Sequence, residues 1–448
     1  MGGRHLNKFN MAIIRPFRGL RYNQDIITDI SSVVTPPYDV ISLQEQDRYY
    51  KIHPNNIIRL DFGKDLPSDT EKINKYTRAA EYLDSWRKSG ILKQEVAPAV
   101  YIYDQEFFSD NRWMVRRGFI ASVKLEPFDT GYIYPHEQTL PGPKADRLKL
   151  TQSCRANLSS IFALFPDENN VIDNYLSAMT ITNPEVDFVD DTGVKNKLWI
   201  IEESQTIDRL VTLMKTKPLF IADGHHRYET SLAYQEKMRK ENGRLGDDLP
   251  LDYVMMVCVS MNNPGLKILP AHRVVRNIQN YQFDRILPSL QEYFMVTLIG
   301  KGCRVDEFMS RLNNEKKGHS HTYVMYVAQE DAYYELQLSN GKLTDAIFAN
   351  DHPEWKHLDA GILHNVVINK VLGINSQNVT LKNYVSYVKD ETEAVSLVQS
   401  GQYQLAFFLR PTLIEQVKEI AMARKVMPPK STYFYPKLIT GIVINSLN

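Results

Sequence analysis

The chain of 448 residues is long enough to form two or three domains, each with its own buried core. Its 53 basic and 53 acidic side chains cancel, which excludes the global field that draws nucleic acid or an anionic membrane to a protein. Three widely spaced cysteines argue against a disulfide framework and a cysteine-rich zinc site, and the longest apolar run, 253–259, is far below the ~20 residues of a membrane-spanning helix. We therefore expect a soluble cytoplasmic protein without nucleic-acid or membrane partners.

The predicted elements mix strands and helices along the whole chain. Residues 1–10 are polar and unpatterned, so we expect a disordered leader, or translation that starts at Met11. Short β-rich runs occur at 99–103, 117–123, 198–201, 219–221, 253–260, 322–327 and 405–409. Helical patterns occur near 70–89, 205–216, 227–241, 358–372 and 412–424. This mixture predicts an α/β or α+β fold.

Changes in motif density along the chain predict its domain organisation. After the leader we expect an N-terminal α/β part, a phosphate-binding catalytic core, an accessory α/β domain and a C-terminal segment that returns to the active site. Their predicted ranges are 11–135, 136–275, 276–395 and 396–448.

The segment 217–230 (KPLFIADGHHRYET) combines an apolar strand, a glycine turn and a helix. Such a turn points backbone N–H groups and the positive end of the helix at one spot, which favours phosphate binding. Gly224 permits close approach of the backbone, His225, His226 and Arg227 add donors, and Asp223 could orient a hydroxyl or a metal-bound water. The alternatives are a capped helix with a surface histidine pair, or zinc, which adjacent helical histidines about 100° apart cannot easily share.

The segment 134–147 (YPHEQTLPGPKADR) predicts a stiff Pro-Gly-Pro loop beside a carboxylate. Glu137 is a candidate general base, and Lys144 and Arg147 could neutralise phosphate oxygens. A charged loop that caps the following helix is the alternative.

The segment 426–437 (VMPPKSTYFYPK) places Lys430, Ser431 and Thr432 after two prolines, which supplies one cation and two hydroxyl donors. It is similar to the end of a phosphate loop without the glycines, but the pattern GxxxxGK[ST] is absent and a polar turn is the alternative. A weaker cluster combines the arginines of 15–22 (RPFRGLRY) with the aromatic turn of 35–40 (TPPYDV), and it is explained equally by nucleotide binding or by packing between segments.

Three of these motifs, PHEQ, ADGHHRYET and PPKSTYFYPKL, together resemble a widespread prokaryotic family catalogued as a domain of unknown function. The resemblance runs from about Met11 to the C-terminus. The same segments, in the same order, resemble the free-serine kinases that use ADP as phosphate donor. This resemblance implies a ParB/sulfiredoxin-like phosphate-binding core with a mixed sheet, together with an accessory α/β domain.

The resemblance implies phosphotransfer on free serine or O-phosphoserine, in a role linked to serine metabolism. Glu137 would take the proton of the serine hydroxyl, Mg²⁺ would bridge phosphate oxygens, and ADP or ATP would be the nucleotide. The implied catalytic residues are Glu137, Asp223 and His226. The implied phosphate- or nucleotide-binding residues are Gly224, His225, Arg227, Lys430, Ser431 and Thr432. Lys144 and Arg147 are predicted phosphate ligands from the charged segment itself, which this chain has as an insertion relative to the kinases.

The direction of transfer stays open, because this chain is longer than the kinases and has Ser431 where they have threonine. A site that phosphorylates serine also runs in reverse, so a kinase and a phosphoserine phosphatase are both consistent with it. The alternative from another class is a non-catalytic nucleotide-binding switch or interaction protein of the ParB-like fold. The neutral net charge and the absence of a basic stripe speak against DNA binding by such a switch.

Overall fold

The computed structural model describes residues 12–129, 131–139, 141–243, 246–314, 321–339, 341–348, 353–374 and 381–448. The predicted disordered leader, 1–10, lies outside them. Contacts divide the chain into two compact units, which are Met1–Lys267 with Pro436–Asn448 and, inserted in sequence between them, Ile268–Tyr435. The boundaries predicted after residues 135, 275 and 395 divide the chain more finely and stay predictions.

The secondary structure follows the chain in this order. The strands are Ile14–Arg15 (β1), Leu20–Tyr22 (β2), Leu92–Gln94 (β3), Val100–Ser109 (β4), Arg112–Lys124 (β5), Ile133–Tyr134 (β6), Ala156–Asn157 (β7), Ile161–Phe165 (β8), Val186–Val189 (β9), Lys195–Ile201 (β10), Leu219–Asp223 (β11), Tyr253–Ser260 (β12), Lys267–Leu269 (β13), His272–Val275 (β14), Phe294–Lys301 (β15), Thr322–Val327 (β16), Ala332–Leu338 (β17), Val385–Val388 (β18), Leu405–Phe408 (β19), Tyr433–Tyr435 (β20) and Asn445–Ser446 (β21). The α-helices are Leu43–Ile52 (α1), Ile58–Asp61 (α2), Lys75–Lys88 (α3), Pro141–Cys154 (α4), Val171–Ala178 (α5), Ser204–Met214 (α6), His225–Glu241 (α7), Phe283–Gln291 (α8), Val305–Asn314 (α9), Gly341–Phe348 (α10), Asp359–Ile362 (α11), Glu391–Gln399 (α12) and Ile414–Met422 (α13).

The first unit is built on a large mixed sheet. Among the described residues its strand order is β6-β11-β8-β12-β5-β4-β10-β9, with β1 paired to β5 outside this path. The pairs β6/β11 and β8/β12 are parallel, and the remaining pairs are antiparallel. This places β11, which enters the glycine turn, between β6 and β8.

The central strand β12 shows why this sheet forms a core. All eight of its residues are buried, as expected for a strand that is covered on both faces. Its residues Val254, Met256 and Cys258 join one apolar cluster with side chains of α5, α6 and α7. The packed face therefore fixes the sheet against α7, the helix that begins at the glycine turn.

The second unit has its own antiparallel sheet, with the order β15-β17-β16-β19-β14-β18 among the described residues. Both faces of this sheet are covered. Along β16, Tyr323 and Met325 belong to one apolar cluster, whereas Val324 and Tyr326 belong to another. This two-residue alternation follows from the pleat of a strand. Beside this sheet, α11 continues into a π-helix at Leu363–Val371.

The predicted strands and helices are confirmed within a few residues, and the sequence-based expectation of a mixed α/β chain agrees with the structure. One local expectation differs from it. The predicted Pro-Gly-Pro loop is wrong, because α4 begins at Pro141; proline is tolerated in the first turn, where backbone N–H groups have no acceptor within the helix. Strand β19 pairs with β14 and β16 in the second unit, and the first unit resumes at Pro436. The return of the segment 396–448 to the active site stays a prediction.

Candidate active site

The glycine turn joins β11 to α7 as the sequence predicts. Asp223 is the last residue of the strand, Gly224 has φ +92° and ψ +28°, and α7 begins at His225. The positive φ favours glycine at this position, and a Cβ here would lie 2.8 Å from Nε of Arg227, so a side chain would displace the guanidinium. The positive end of a 17-residue helix therefore lies directly after a partly buried carboxylate.

Two cations hold the Asp223 carboxylate. Lys437 Nζ lies 2.7 Å from Oδ2, and Nη2 of Arg227 lies 3.7 Å from Oδ1. Burial raises the pKa of Asp223, but Lys437 and Arg227 outweigh burial and hold that pKa well below its usual range. Asp223 is therefore ionised at neutral pH and keeps both cations in place.

A third cation, Arg116, lies beneath this group. It is 2% exposed, its guanidinium lies over the ring of Phe162, and it donates to Oε1 of Gln105. The side-chain amide of Gln105 in turn donates to the backbone oxygen of Lys437 over 3.0 Å. Burial lowers the pKa of Arg116 to about 10, so the side chain stays charged at neutral pH. Its positive charge adds to that of Lys437 and Arg227.

The PHEQ segment meets the helix start through its histidine. The backbone N–H of His136 donates to Nε2 of His225 over 3.2 Å, and the two rings pack edge to face with centroids 4.7 Å apart. Burial lowers the pKa of His136 to about 4 and that of His225 well below its usual value, the latter with a further contribution from His136. Both imidazoles are therefore neutral at neutral pH.

The tautomer of His225 follows from this contact. Because Nε2 accepts a hydrogen bond from the backbone N–H of His136, the single proton of the neutral ring lies on Nδ1. Nδ1 lies 3.7 Å from Oε2 of Glu137, whose side chain is 35% exposed. The predicted base therefore lies beside a buried N–H donor while its own carboxylate reaches solvent.

The first turn of α4 docks on α7 through Glu229. Lys144 Nζ lies 2.6 Å from Oε2 of Glu229, and Oγ1 of Thr139 donates to the same oxygen over 2.7 Å. The predicted phosphate ligand Lys144 is thus joined to the helix that begins at the glycine turn, one turn beyond its first residue. His226 is half-buried on that first turn, and its charge lowers the pKa of His225.

The structure places Arg147 in a buried ion-pair network. Its Nη1 lies 2.7 Å from the backbone oxygen and 3.2 Å from Oδ1 of Asp61, and its Nη2 lies 2.7 Å from Oδ2 of Asp146. The guanidinium lies 3.8 Å from the centre of the Tyr38 ring. These contacts tie α2 to α4, and they give the weak cluster at 35–40 a packing role. Contact of Arg147 with phosphate, as predicted from the sequence, stays a prediction.

Lys430, Ser431 and Thr432 belong to the second unit. The hydroxyl of Ser431 donates to the backbone oxygen of Pro428 over 2.6 Å, and Oγ1 of Thr412 donates to the backbone oxygen of Ser431 over 2.7 Å. Lys430 has φ +55°. These contacts describe a hydrogen-bonded turn, and the predicted closure of the active site by these three residues stays a prediction.

Two site residues were not predicted from the sequence, Lys437 and Arg116. Lys437 ends the C-terminal motif, seven residues after Lys430, so extending the predicted phosphate contacts to the whole motif would have included it. Arg116 precedes Arg117 in a strand, where neighbouring side chains point to opposite faces. One of two adjacent strand arginines must therefore face the core, and this signal was available in the sequence.

The described residues contain no group of three or more His, Cys, Asp or Glu side chains placed to hold a metal ion. Asp223, which precedes the glycine turn, is ion-paired with Lys437. These residues therefore form no ready-made cage for Mg²⁺. None of the described helices has both the length and the apolar character needed to cross a bilayer.

The fold and the site define a mixed α/β protein with a partly buried, cation-rich strand–glycine–helix turn. The chain belongs to the family described as "Protein of unknown function (DUF1015)", whose model matches residues 14–361. No curated protein matches the chain.

Solved structures similar to this chain have low sequence identity. A conserved hypothetical protein from Pyrococcus furiosus has 11% identity and a TM-score of 0.33, covering 73% of this chain and 95% of its own. A free serine kinase variant in complex with ADP has 9% identity and a TM-score of 0.34, covering 71% and 87%. SbnI from Staphylococcus aureus, with a C-terminal truncation, has 12% identity and a TM-score of 0.33, covering 71% and 85%. Because these values are low, we base the proposal of function on the residues of this chain.

Proposed function

We propose that this protein transfers a phosphoryl group to or from the hydroxyl of free serine, with ADP or ATP as the nucleotide and a ParB/sulfiredoxin-like core in the first unit. The proposal is supported by the order of the three motifs and by the charges around the glycine turn. One observation carries it: the ionised Asp223 carboxylate holds Lys437 and Arg227 at the start of α7.

This arrangement suits a phosphate better than other ligands. Lys437, Arg227 and Arg116 bring three positive charges, Asp223 and Glu137 bring two negative charges, and the helix start adds partial positive charge. Because His136 and His225 are neutral, the site has a positive surplus. That surplus attracts the negatively charged oxygens of a phosphoryl group, whereas a neutral ligand leaves it unsatisfied.

Glu137 is the base in this proposal. It takes the proton of the serine hydroxyl while the hydroxyl oxygen forms a bond to phosphorus, and the bond from phosphorus to the leaving oxygen of the nucleotide breaks. The electron pair of that bond stays on the departing phosphate. In the reverse direction, protonated Glu137 returns its proton to the serine oxygen. The Nδ1–H of His225 lies 3.7 Å from this carboxylate.

The cations perform the electrostatic part of the reaction. Lys437 and Arg227 stabilise the charge on the transferring phosphoryl oxygens, and Asp223 positions both cations before the substrate binds. Mg²⁺ that arrives with a nucleotide would be held chiefly by phosphates and water, and it would supply further charge neutralisation.

Phosphorus NMR tests this proposal directly. The purified protein is incubated with Mg²⁺ and serine plus ADP, serine plus ATP, O-phosphoserine plus AMP, O-phosphoserine plus ADP, or O-phosphoserine alone. A kinase converts serine and ADP to O-phosphoserine and AMP, or serine and ATP to O-phosphoserine and ADP. A phosphatase releases free phosphate from O-phosphoserine and water.

Two variants separate catalysis from folding. Glu137→Gln is expected to lower turnover by about 10²–10⁴-fold while the affinity for phosphate ligands stays nearly constant. Glu236→Gln is the matched control, because Glu236 is an exposed residue of α7 that pairs with Lys240 on the helix surface. Equal turnover in the two variants would remove Glu137 as the base. If the wild type converts no substrate yet binds nucleotide, the chain is a nucleotide-binding switch instead.

A further inference from the structure

A buried arginine of the second unit lacks a counter-ion among the described residues. Arg273 lies in β14, where Val274 belongs to one apolar cluster and Val275 to the other. Because side chains alternate along a strand, Arg273 points to the face of Val275, which α11 and the π-helix after it cover. Its side chain is in a residue only 3% exposed. Burial lowers the pKa of Arg273, and the groups that oppose burial are the phenols Tyr387 and Tyr323, not a carboxylate.

The contacts of Arg273 leave one edge of its guanidinium unused. Nη1 donates to the backbone oxygen of Ala271, and the guanidinium lies 5.3 Å from the centre of the Tyr387 ring. Nε and Nη2 donate to none of the described residues, and neither is completely closed to solvent. These two nitrogens form the edge that presents two parallel N–H groups, the geometry that binds a carboxylate through both of its oxygens.

The other ionisable groups near Arg273 leave its charge unbalanced. Arg273 and Arg410 both act on the pKa of Tyr323, so both guanidiniums lie near that phenol. Nε of Arg410 lies 3.3 Å from Oδ2 of Asp359, so this second arginine already has a carboxylate. Burial, with a further contribution from the charge of Arg273, lowers the pKa of His364 to about 4, so its imidazole is neutral at neutral pH.

A small organic carboxylate matches this environment. Arginine is almost never buried unless it is paired, because an uncompensated buried charge is strongly destabilising. A carboxylate brings one negative charge for the one charge of Arg273, whereas a phosphate dianion brings two. Phe407, which pairs with Arg273 in the sheet, and Val275 on the same face are apolar, so they favour an apolar body on the ligand.

We propose that Arg273 binds the carboxylate of a small organic acid through Nε and Nη2, with an N–H of the His364 imidazole donating to the same carboxylate. His364 lies in the π-helix, a conformation that is frequent at functional sites. His364 and Arg410 are partly exposed, which gives the ligand a route from solvent. The second unit, to which phosphotransfer assigns no step, is then a ligand-binding unit, and this inference stands independently of the proposed function.

The test compares two probes that differ only in charge. Propionate and propionamide are titrated into the full-length protein at constant ionic strength, and saturation-transfer NMR measures their binding. The wild type should bind propionate about 10-fold or more tightly than propionamide, because only the carboxylate forms two charged hydrogen bonds. Inorganic phosphate, as a third probe, should bind more weakly than propionate.

Two arginine variants separate this site from surface charge. Arg273→Met should weaken propionate binding by about 10-fold or more. Arg276→Met is the matched control, because the guanidinium of Arg276 also lies 5.3 Å from a tyrosine ring, that of Tyr403, while its Nε donates to the backbone oxygen of Asn383. This control should keep the wild-type affinity.

Stability in the absence of ligand gives a second measurement. An arginine kept for structure would stabilise the empty protein, whereas a buried charge that awaits an anion is replaced by methionine without loss. In urea unfolding without propionate, Arg273→Met should therefore be at least as stable as the wild type. Added propionate should stabilise the wild type and leave Arg273→Met unchanged.

A further variant keeps the inference testable if Arg273→Met does not fold. His364→Leu removes the second donor from the partly exposed π-helix, and it should weaken propionate binding several-fold.

Equal binding of propionate and propionamide, or equal affinity in Arg273→Met and Arg276→Met, would overturn the inference. Tighter binding of phosphate than of propionate would overturn the carboxylate class. If Arg273→Met does not fold, unchanged affinity in His364→Leu overturns the site.

Discussion

The substitution Gly224→Ala tests whether the glycine turn sets the position of Arg227. Alanine at φ +92° costs about 1–2 kcal/mol in backbone conformation. Its Cβ would also lie 2.8 Å from Nε and 3.0 Å from Cζ of Arg227, so the guanidinium must move. That movement breaks the hydrogen bond from Nη1 to the backbone oxygen of Ser160, at a further cost of about 1.5–3 kcal/mol for a charged hydrogen bond.

Gly193 provides the matched control. It has φ +83°, but a Cβ built there meets no atom within 4 Å, so Gly193→Ala isolates the backbone cost. In urea unfolding, the free energy of unfolding of Gly193→Ala should be about 1–2 kcal/mol below that of the wild type. The free energy of unfolding of Gly224→Ala should be lower by about 2 kcal/mol more.

The same pair of variants tests the site. Displacement of Arg227 should lower kcat/KM of the proposed reaction by about 10- to 100-fold in Gly224→Ala. Gly193→Ala should retain wild-type kcat/KM. If the two variants lose the same stability and the same activity, the position of Arg227 does not depend on the absence of a side chain at residue 224, and the prediction is wrong.

Two further predictions concern the charges of the site. Lys437→Met should weaken ADP binding by about 10-fold or more, because the cation nearest Asp223 is lost; unchanged affinity in calorimetry would exclude Lys437 from the phosphate site. The first unit should also lose stability as the pH falls from 6.5 to about 4, since buried His136 has a folded-state pKa of about 4 and the unfolded chain binds more protons in this range. This residue alone accounts for about 3 kcal/mol between pH 7 and pH 4, and urea midpoints independent of pH would contradict its burial as a neutral ring.

The glycine turn could be predicted because its signals are local. An apolar run of strand length, a glycine and a helical pattern occur within fourteen residues, and the structure forms β11 and α7 there. The meeting of the PHEQ motif with the turn could be predicted only from the resemblance of whole motifs. No spacing rule relates His136 to His225 across 89 residues.

The role of Lys437 could not be read from spacing. It is 214 residues from Asp223 in sequence, and the intervening second unit gives no pattern that places its charge at the turn. The Pro-Gly-Pro segment was read as a loop because prolines usually break helices, whereas Pro141 occupies the first turn of α4, where that restriction does not apply. For Lys437 the long sequence separation hides its contact with Asp223, and for Pro141 the place in the first helical turn decides that a helix forms.

The return of the chain to the first unit has a consequence for the order in which the protein is made. Thr440 and Ile444 exchange backbone hydrogen bonds with Thr35 and Leu20, yet a ribosome synthesises them after the whole of the second unit. At typical elongation rates this delay lasts on the order of ten seconds. During that interval the nascent chain exposes the strand edges that residues 436–448 will cover, and Asp223 lacks its lysine. The proposed phosphate site therefore matures last, and a message truncated after residue 435 would yield a chain that never acquires it.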